Sequence, residues 1–529
     1  MISQIEVMVG LLFAVAALAL LARALRIPYP ILFVIGGLLL ALIPGLPRIR
    51  LDPQLVLLFF LPPILFPAAL FTSWRDFRAN LRPISLLAVG LVLFTTTVVG
   101  YLAHYFIPDL SLAAGFVLGA IVSPPDAIAA TAIAKRLQLP RRIVTILEGE
   151  SLVNDATALV AYRFAVTAVV TGSFSLAQAS GKFCLVGLGG IGIGLIVGWL
   201  AELFHRRVDD APIEITVSIL TPFAAYLPAE RLGVSGVLAV VTAGLYLGWR
   251  APVITDSRTR LQAAPVWEMI VFLLNGFIFI LIGLQLPDVW DRLAGRSLSQ
   301  LVWYATIISF AVILIRILWV FPASYLPQLL SKRIRANEPQ LKWQRVTIVA
   351  WTGMRGIVSL AVALALPLEI NDRSPFPGRD LILFLTFVVI LVTLVVQGLS
   401  LPSIIRWLGV EADGAAEKEE REARLKANQA ALARLDEIAQ SEQPSKADAL
   451  ERLRIEYEDR IRQLQIPKLE NANTPRHQFS TEYERLSHKT LQVERTTILQ
   501  LRNDLVINDD VLRIIQRDID LAEARLRHQ

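Results

Sequence analysis

About 13 stretches of this chain are dominated by apolar residues, and no other feature constrains its fold as tightly. They lie near residues 5–25, 29–46, 53–73, 83–107, 110–134, 143–171, 181–204, 211–229, 234–249, 265–287, 299–327, 343–367 and 381–405. A run of roughly 20 apolar residues spans bilayer hydrocarbon as a helix, where every backbone polar group must be satisfied within the segment. The expected fold class is therefore an all-α polytopic membrane protein. The first run has Glu6 near its start and Arg23 and Arg26 at its end. A signal peptide carries its basic residues first, so this run reads as a retained membrane helix.

The formal charge of +6 is unevenly placed. Residues 411–529 hold 20 Lys/Arg and 24 Asp/Glu, leaving 31 (51 minus 20) and 21 (45 minus 24) for residues 1–410. The basic excess sits in alternate short loops, with Arg75, Arg78 and Arg82 in one, Lys135, Arg136, Arg141 and Arg142 in another, and Arg206 and Arg207 in a third. Positive-inside bias places the N-terminus outside and the C-terminus in the cytoplasm. It also accounts for the basicity without nucleic acid. Residues 1–410 read as a transmembrane domain. Residues 411–529, with stretches such as "DALERLRIEYEDRIRQLQ", read as a soluble, charged, helical cytoplasmic tail. The single cysteine, Cys184, excludes a disulfide framework and a cysteine metal site.

Thirteen segments divide as six, a linker and six, which makes segments five and twelve counterparts. Both are interrupted, the fifth by "VSPPDA" (122–127) and the twelfth by "TGMRG" (352–356). Interrupted helices at matching positions of two inverted halves point to a transporter's midplane site. Gly190, Gly194 and Gly198, four residues apart in segment seven, form a smooth face suited to close helix packing.

Segment six carries "EGESLVNDATALV" (148–160). At helical spacing Glu148, Ser151 and Asp155 share one face, and Glu150 and Asn154 form an adjacent stripe. The oxygen-rich strip is about 10 Å long. A charge at the bilayer centre costs roughly 3 kcal/mol on insertion scales, so these groups must face a cavity or partners. Glu148 follows Arg142 so closely that a loop position explains it equally well, and it is given no role. Asp155 has several apolar turns beyond it and needs one. Carboxylate oxygens suit hard cations, and desolvation favours the protonated form of a carboxyl group. One such group, holding either a proton or a cation, is the minimum device for exchanging them.

Asp126 lies at the first break and is expected to offset the positive helix N-termini that meet there. Arg316, in the middle of "AVILIRILWV", requires a carboxylate partner. With Asp155 left free to titrate, Glu150 is the best remaining candidate. Arg355, at the second break, suits either an anchor for the crossing chains or a sensor of cytoplasmic pH.

Together these residues resemble the sodium/proton exchangers of the cation/proton antiporter-1 family, in a bacterial form. "GESLVNDA" (149–156) is similar to that family's acid-Ser-x-x-Asn-Asp signature. "SPPDAIAA" resembles its first broken helix, "RILW" its buried-arginine helix and "GMRGIVSLA" its second broken helix. The resemblance covers roughly residues 5–407. It implies a 13-helix inverted-repeat fold with two crossing broken helices, a homodimer, and exchange of one cation for one proton by alternating access, for pH and sodium homeostasis. Asp155 would be the shared cation/proton carboxylate and bind Na+, with Ser151 adding an oxygen and Asn154 holding the polar geometry. Glu150 and Arg316 would form a structural ion pair. Asn before Asp155 resembles the electroneutral branch. Pro125 departs from the pattern, since many relatives offer a threonine oxygen there, so ligation at that break is left to backbone carbonyls.

Other classes fit less well. An intramembrane aspartyl protease would need Gly-x-Gly-Asp around Asp126 or Asp155, and a metalloprotease His-Glu-x-x-His; the chain contains neither. An enzyme is not expected, nor a cofactor beyond the transported Na+ and H+. A K+/H+ or other cation/proton exchanger and a passive cation channel are the alternatives. A sensor with a helical output tail would not need Asp155. Short loops suit a multi-pass protein of a bacterial inner membrane.

Overall fold

The computed structural model describes residues 2–25, 27–43, 56–172, 176–291, 293, 295–332, 342–370, 374–410, 414–441 and 447–465, with short stretches between 487 and 522. It divides into two compact units, Met1–Asp413 and Gly414–Gln529.

In the first unit the elements follow in chain order: α1 (Ile2–Leu25), α2 (Tyr29–Ala41), α3 (Val56–Leu70), α4 (Trp74–Ala79), α5 (Leu81–Phe106), α6 (Leu112–Val122), α7 (Ile128–Arg136), α8 (Arg141–Thr171), α9 (Leu176–His205), α10 (Ala211–Arg231), α11 (Gly236–Ile254), α12 (Ser257–Leu284), α13 (Leu286–Asp291), α14 (Leu298–Leu330), α15 (Trp343–Trp351), α16 (Ile357–Leu364) and α17 (Arg379–Leu408). Nine helices among the described residues are long and apolar enough to cross a membrane, and α2, α3 and α6 are shorter apolar helices. The architecture is all-helical and polytopic.

Local chemistry sets many of the boundaries. The side chains of Ser111, Asp210 and Ser235 accept the backbone N–H groups of Ala114, Ile213 and Leu238, capping α6, α10 and α11. Gly172, at φ 68°, ends α8 in a left-handed conformation. The tenth apolar run, expected from residue 265, is embedded in a longer helix. Asp256 accepts the Arg258 N–H and starts α12 at Ser257, so its first two turns are too polar for a hydropathy reading to include. The predicted ends near 44–46 and 53–55 fall outside the described residues.

The two interruptions are real breaks. Residues 123–127 separate α6 from α7, and residues 352–356 separate α15 from α16. Two apolar cores flank α8. The larger draws on α1–α3, α5–α8 and α12–α17, and the smaller on α3–α5 and α8–α11 with Trp267 of α12. Helix α8 contributes Ile143 and Leu147 to the first and Leu152 and Ala156 to the second. The polar-residue helix thus joins the two cores, as do α3, α5 and α12.

In the second unit, α18 (Ala415–Ser441) packs on α19 (Ala447–Gln465). Its surface carries same-helix ion pairs such as Arg434–Glu437 at 2.7 Å. Such exposed pairs add little stability and mainly solubilise the hairpin.

The glycine face of α9 packs on α11. A Cβ on Gly190 would sit 2.5 Å from the Ser235 carbonyl oxygen, and one on Gly194 would strike the Ala239 carbonyl. Gly192, on another face, has nothing within 4 Å. Gly194→Val is therefore expected to lower stability by about 1–3 kcal/mol, because backbone cannot yield as a side chain can. Thermal melting of the purified protein checks this, with Gly192→Val as the control that should melt within a degree or two of the wild type.

Candidate functional site

The breaks meet. Asp126 N–H donates to the Met354 carbonyl at 2.7 Å, tying the first interruption directly to the second. Each break exposes one helix C-terminus and one N-terminus, whose unpaired carbonyls and N–H groups carry partial charge. Opposite side-chain charges neutralise both kinds of end. The Asp126 carboxylate accepts the N–H of Ile128 at 2.8 Å and that of Ile357, the first residues of α7 and α16. Arg355, fully buried, does the reverse. Its Nε donates to the Val122 carbonyl at 2.9 Å, Nη1 to that of Gly353 and Nη2 to that of Ser123 at 3.5 Å. Thr393 of α17 accepts the Arg355 N–H at 3.0 Å. Gly356 is obligatory here, because a Cβ at that position would fall on the Asp126 carboxylate.

A second charge pair braces the crossing. Arg316 of α14 donates from Nη1 and Nη2 to Glu150 Oε1 and Oε2, at 2.6 and 2.8 Å, in a bidentate fork. The same guanidinium donates to the Val349 carbonyl from Nε at 3.2 Å and from Nη2 at 3.1 Å, so it also caps the last turn of α15. Arg316 and Glu150 are 0% and 2% exposed. Gly353 leaves the room this requires, since a Cβ there would meet Arg316 Cδ at 2.5 Å.

Helix α8 presents two chemistries on two faces. Thr145, Glu148, Ser151 and Asp155 line a cavity of about 810 Å³, which α3, α7, α12 and α16 also wall. Glu150 and Asn154 do not line it. Asn154 Nδ2 donates to the Pro125 carbonyl at 2.7 Å, locking α8 to the first break, while its buried Oδ1 has no partner among the described residues. Exposed side chains mark one end of the cavity, where Lys135 pairs with Glu148 at 2.8 Å and Arg141 with Asp76 at 2.7 Å. Glu148, unassigned from sequence, is thus part of an ion pair at the cavity's mouth.

Asp155 differs from every other charged group at the crossing. It is 7% exposed and lines the cavity, and among the described residues no donor or cation pairs with its carboxylate. Glu150 and Arg316 cancel each other, and Asp126 and Arg355 are each committed to helix ends. Among the described residues, none supplies a charge that balances the Asp155 carboxylate.

Several site residues escaped the sequence reading. Thr393 acts through its contact with a distant segment, for which the chain carries no local signal, and Gly353, visible only as part of the break, makes room for Arg316 of α14. Asn275 and Ser359 also line the cavity, and Asn275 did leave one, as a lone amide within "VFLLNGFIF".

A family model described as "Sodium/hydrogen exchanger, transmembrane" matches residues 10–407. A protein of Mycobacterium bovis named an uncharacterized Na+/H+ exchanger is 39% identical over 98% of this chain and 96% of its own length. A Bacillus pumilus protein named a sodium, potassium, lithium and rubidium/H+ antiporter is 40% identical over 71% of this chain and 57% of its own. Among solved structures, the sodium proton antiporter MjNhaP1 from Methanocaldococcus jannaschii is similar in fold. It has a TM-score of 0.60 and 19% identity, covering 77% of this chain and all of that one.

Glu150→Ala or Arg316→Ala alone should each lower stability by about 3–5 kcal/mol, because each strands a buried charge. The double variant should lose clearly less than their sum. A double-mutant cycle on purified protein measures the coupling, and simple additivity would contradict the pairing.

Proposed function

The chain belongs to the sodium/hydrogen exchanger family, and on that premise we propose that it exchanges Na+ for H+ across the membrane through Asp155. The observation that carries the reading is the unbalanced carboxylate of Asp155 in the cavity. A buried carboxylate without a partner must bind a proton or a cation, and binding one displaces the other.

Asp155 takes the cation or the proton, and Ser151, on the same cavity face, adds a neutral oxygen. Asn154 positions α8 against the first break and contributes geometry through the Pro125 carbonyl. Glu150–Arg316 is a structural pair. Asp126 and Arg355 hold the broken helices of the crossing, which favours the anchoring role for Arg355 over pH sensing. One cation for one proton makes the exchange electroneutral, since the carboxylate carries one neutralising charge in either direction. Alternating access moves this site between the two sides, with the membrane domain near residues 1–410 built as thirteen crossings in two inverted repeats. The charge bias of the loops supports an N-terminus outside and a cytoplasmic tail, in a bacterial inner membrane. A homodimer serving pH and sodium homeostasis completes the proposal, with no cofactor beyond the transported ions and no enzymatic step.

The range of ions in the name of the Bacillus relative makes cation choice the question to measure alongside coupling. In everted membrane vesicles with an imposed proton gradient, a fluorescent pH reporter should show gradient collapse on adding Na+. Asp155→Asn, expressed at wild-type level, should lose the response at least 100-fold. Li+ and K+ added in turn rank the ions. A cation flux that drives no opposing proton flux would indicate a channel, and silence of the wild type to all three ions between pH 6 and 9 would remove the reading.

A further inference from the structure

The cavity contains an amide that the proposed exchange has not used. Asn275 lies midway along α12, in a run that is otherwise apolar for several residues on either side. It is 0% exposed, and neither Oδ1 nor Nδ2 has a hydrogen-bond partner among the described residues. Such a group is costly in a membrane interior, where helix packing alone would favour leucine. Gln397 of α17 is equally orphaned at both ends but does not line this cavity. Asn275 does, together with Asp155, Ser151 and Ser359, whose buried Oγ is likewise without a partner.

The helix that carries it is firmly placed. One turn earlier, the Phe272 ring meets Tyr29 of α2 edge-on, with centroids 6.0 Å apart. Two turns later, Gly283 lets α12 approach the α2 backbone so closely that a Cβ would lie 2.5 Å from the Leu38 nitrogen. A ligand held on a rigid element has its distance from the site fixed, and fixed distance is what discriminates ions of different radius.

We propose that Asn275 is a cation-coordinating residue that sets which monovalent cation is exchanged; this rests on the exchange reading above. The α8 face offers a partly dehydrated cation the Asp155 carboxylate and the Ser151 hydroxyl, too few oxygens to replace a hydration shell. The amide carbonyl of Asn275 adds a hard, neutral oxygen from α12, and Ser359 Oγ lines the same cavity from α16. Because it is neutral, it changes cation affinity and size preference without altering the charge that Asp155 must balance. The amide nitrogen gives the same residue a donor to offer when the carboxylate is charged and cation-free. The number of protons moved per cation is untouched by it.

Exchange in everted vesicles is measured for the wild type, Asn275→Ala, Asn275→Ser and Asn275→Leu, with Na+, Li+ and K+ titrated separately. Thermal melting of each purified protein is followed with and without Na+. Asn275→Ala should raise the apparent KM for Na+ about tenfold, within the range seen when a residue supporting a metal site is lost. The maximal rate and the one-for-one coupling should be kept. Asn275→Ser, which differs from alanine by one oxygen, should recover part of the loss. Asn275→Leu should melt no lower than the wild type and show the flattest ion ranking. Alanine and serine variants with the same KM and ion order as the wild type would overturn the proposal. If Asn275→Leu does not fold, the alanine–serine comparison decides alone. A wild type that Na+ stabilises but that exchanges nothing would sink the exchange reading, leaving the melting shifts of the variants to judge coordination. A wild type with neither stabilisation nor exchange would overturn both.

Discussion

A charge in a medium that cannot hydrate it must be balanced by another charge, a dipole or a bound ion, and the crossing of the broken helices is organised around that requirement. Breaking two membrane helices exposes four termini, with unpaired N–H groups on two and unpaired carbonyls on the others. Asp126 answers the first pair and Arg355 the second, so each break makes the other's neutralising residue necessary. Arg316 then ties α14 to the last turn of α15, and Glu150 makes that buried guanidinium tolerable. None of these groups can be removed singly without stranding another. Interlocking of this kind holds irregular backbone in one arrangement at membrane depth.

Helix α8 connects this rigid crossing to the cavity. Its Glu150/Asn154 stripe is spent on structure: Asn154 grips the Pro125 carbonyl and Glu150 grips Arg316. Its Glu148/Ser151/Asp155 stripe faces open space. Because the stripes share one helix, the position of Asp155 is fixed by contacts on the face that carries no cargo. The helix also joins two apolar cores, so a displacement of one core against the other changes what surrounds Asp155.

Much of this was legible in the chain. Long apolar runs carry their own length signal, so the membrane class and the positions of the spans could be read directly. The breaks could be read because Pro124, Pro125 and the glycines around Arg355 interrupt those runs. The stripes on α8 follow from helical spacing, and the partner of Arg316 follows from elimination among few intramembrane acids. What could not be read depends on which neighbour a face meets. Nothing in "VNDA" says that the Asn154 amide turns to Pro125 and not to the cavity. Nothing near Arg355 says that three carbonyls from two segments receive it. The start of α12 was hidden because a polar, well-capped helical extension looks like a loop to any hydropathy reading. Asn275 was visible as a residue but not as a site, since a lone amide gains meaning only once both its ends are known to lack a partner among the described residues.

The unpaired state of Asp155 also accounts physically for coupling under the proposed exchange. An alternating-access cycle has three forms that could reorient, with Asp155 protonated, cation-loaded or bare. In the first two the site is neutral. In the third a bare carboxylate must pass through the low-dielectric region at a cost of roughly 3 kcal/mol or more. That penalty slows empty reorientation by about 100-fold, at 1.36 kcal/mol per factor of ten. The protein needs no separate gate to forbid the leak, provided no other cation approaches Asp155. Lys135 and Arg141 share the cavity and Arg316 and Arg355 stand at the crossing, and all four are occupied: Lys135 by Glu148, Arg141 by Asp76, Arg316 by Glu150 and Val349, and Arg355 by carbonyls at the breaks. Under the proposed exchange the structural charge pairs therefore serve transport by leaving Asp155 without an internal counter-ion among the described residues.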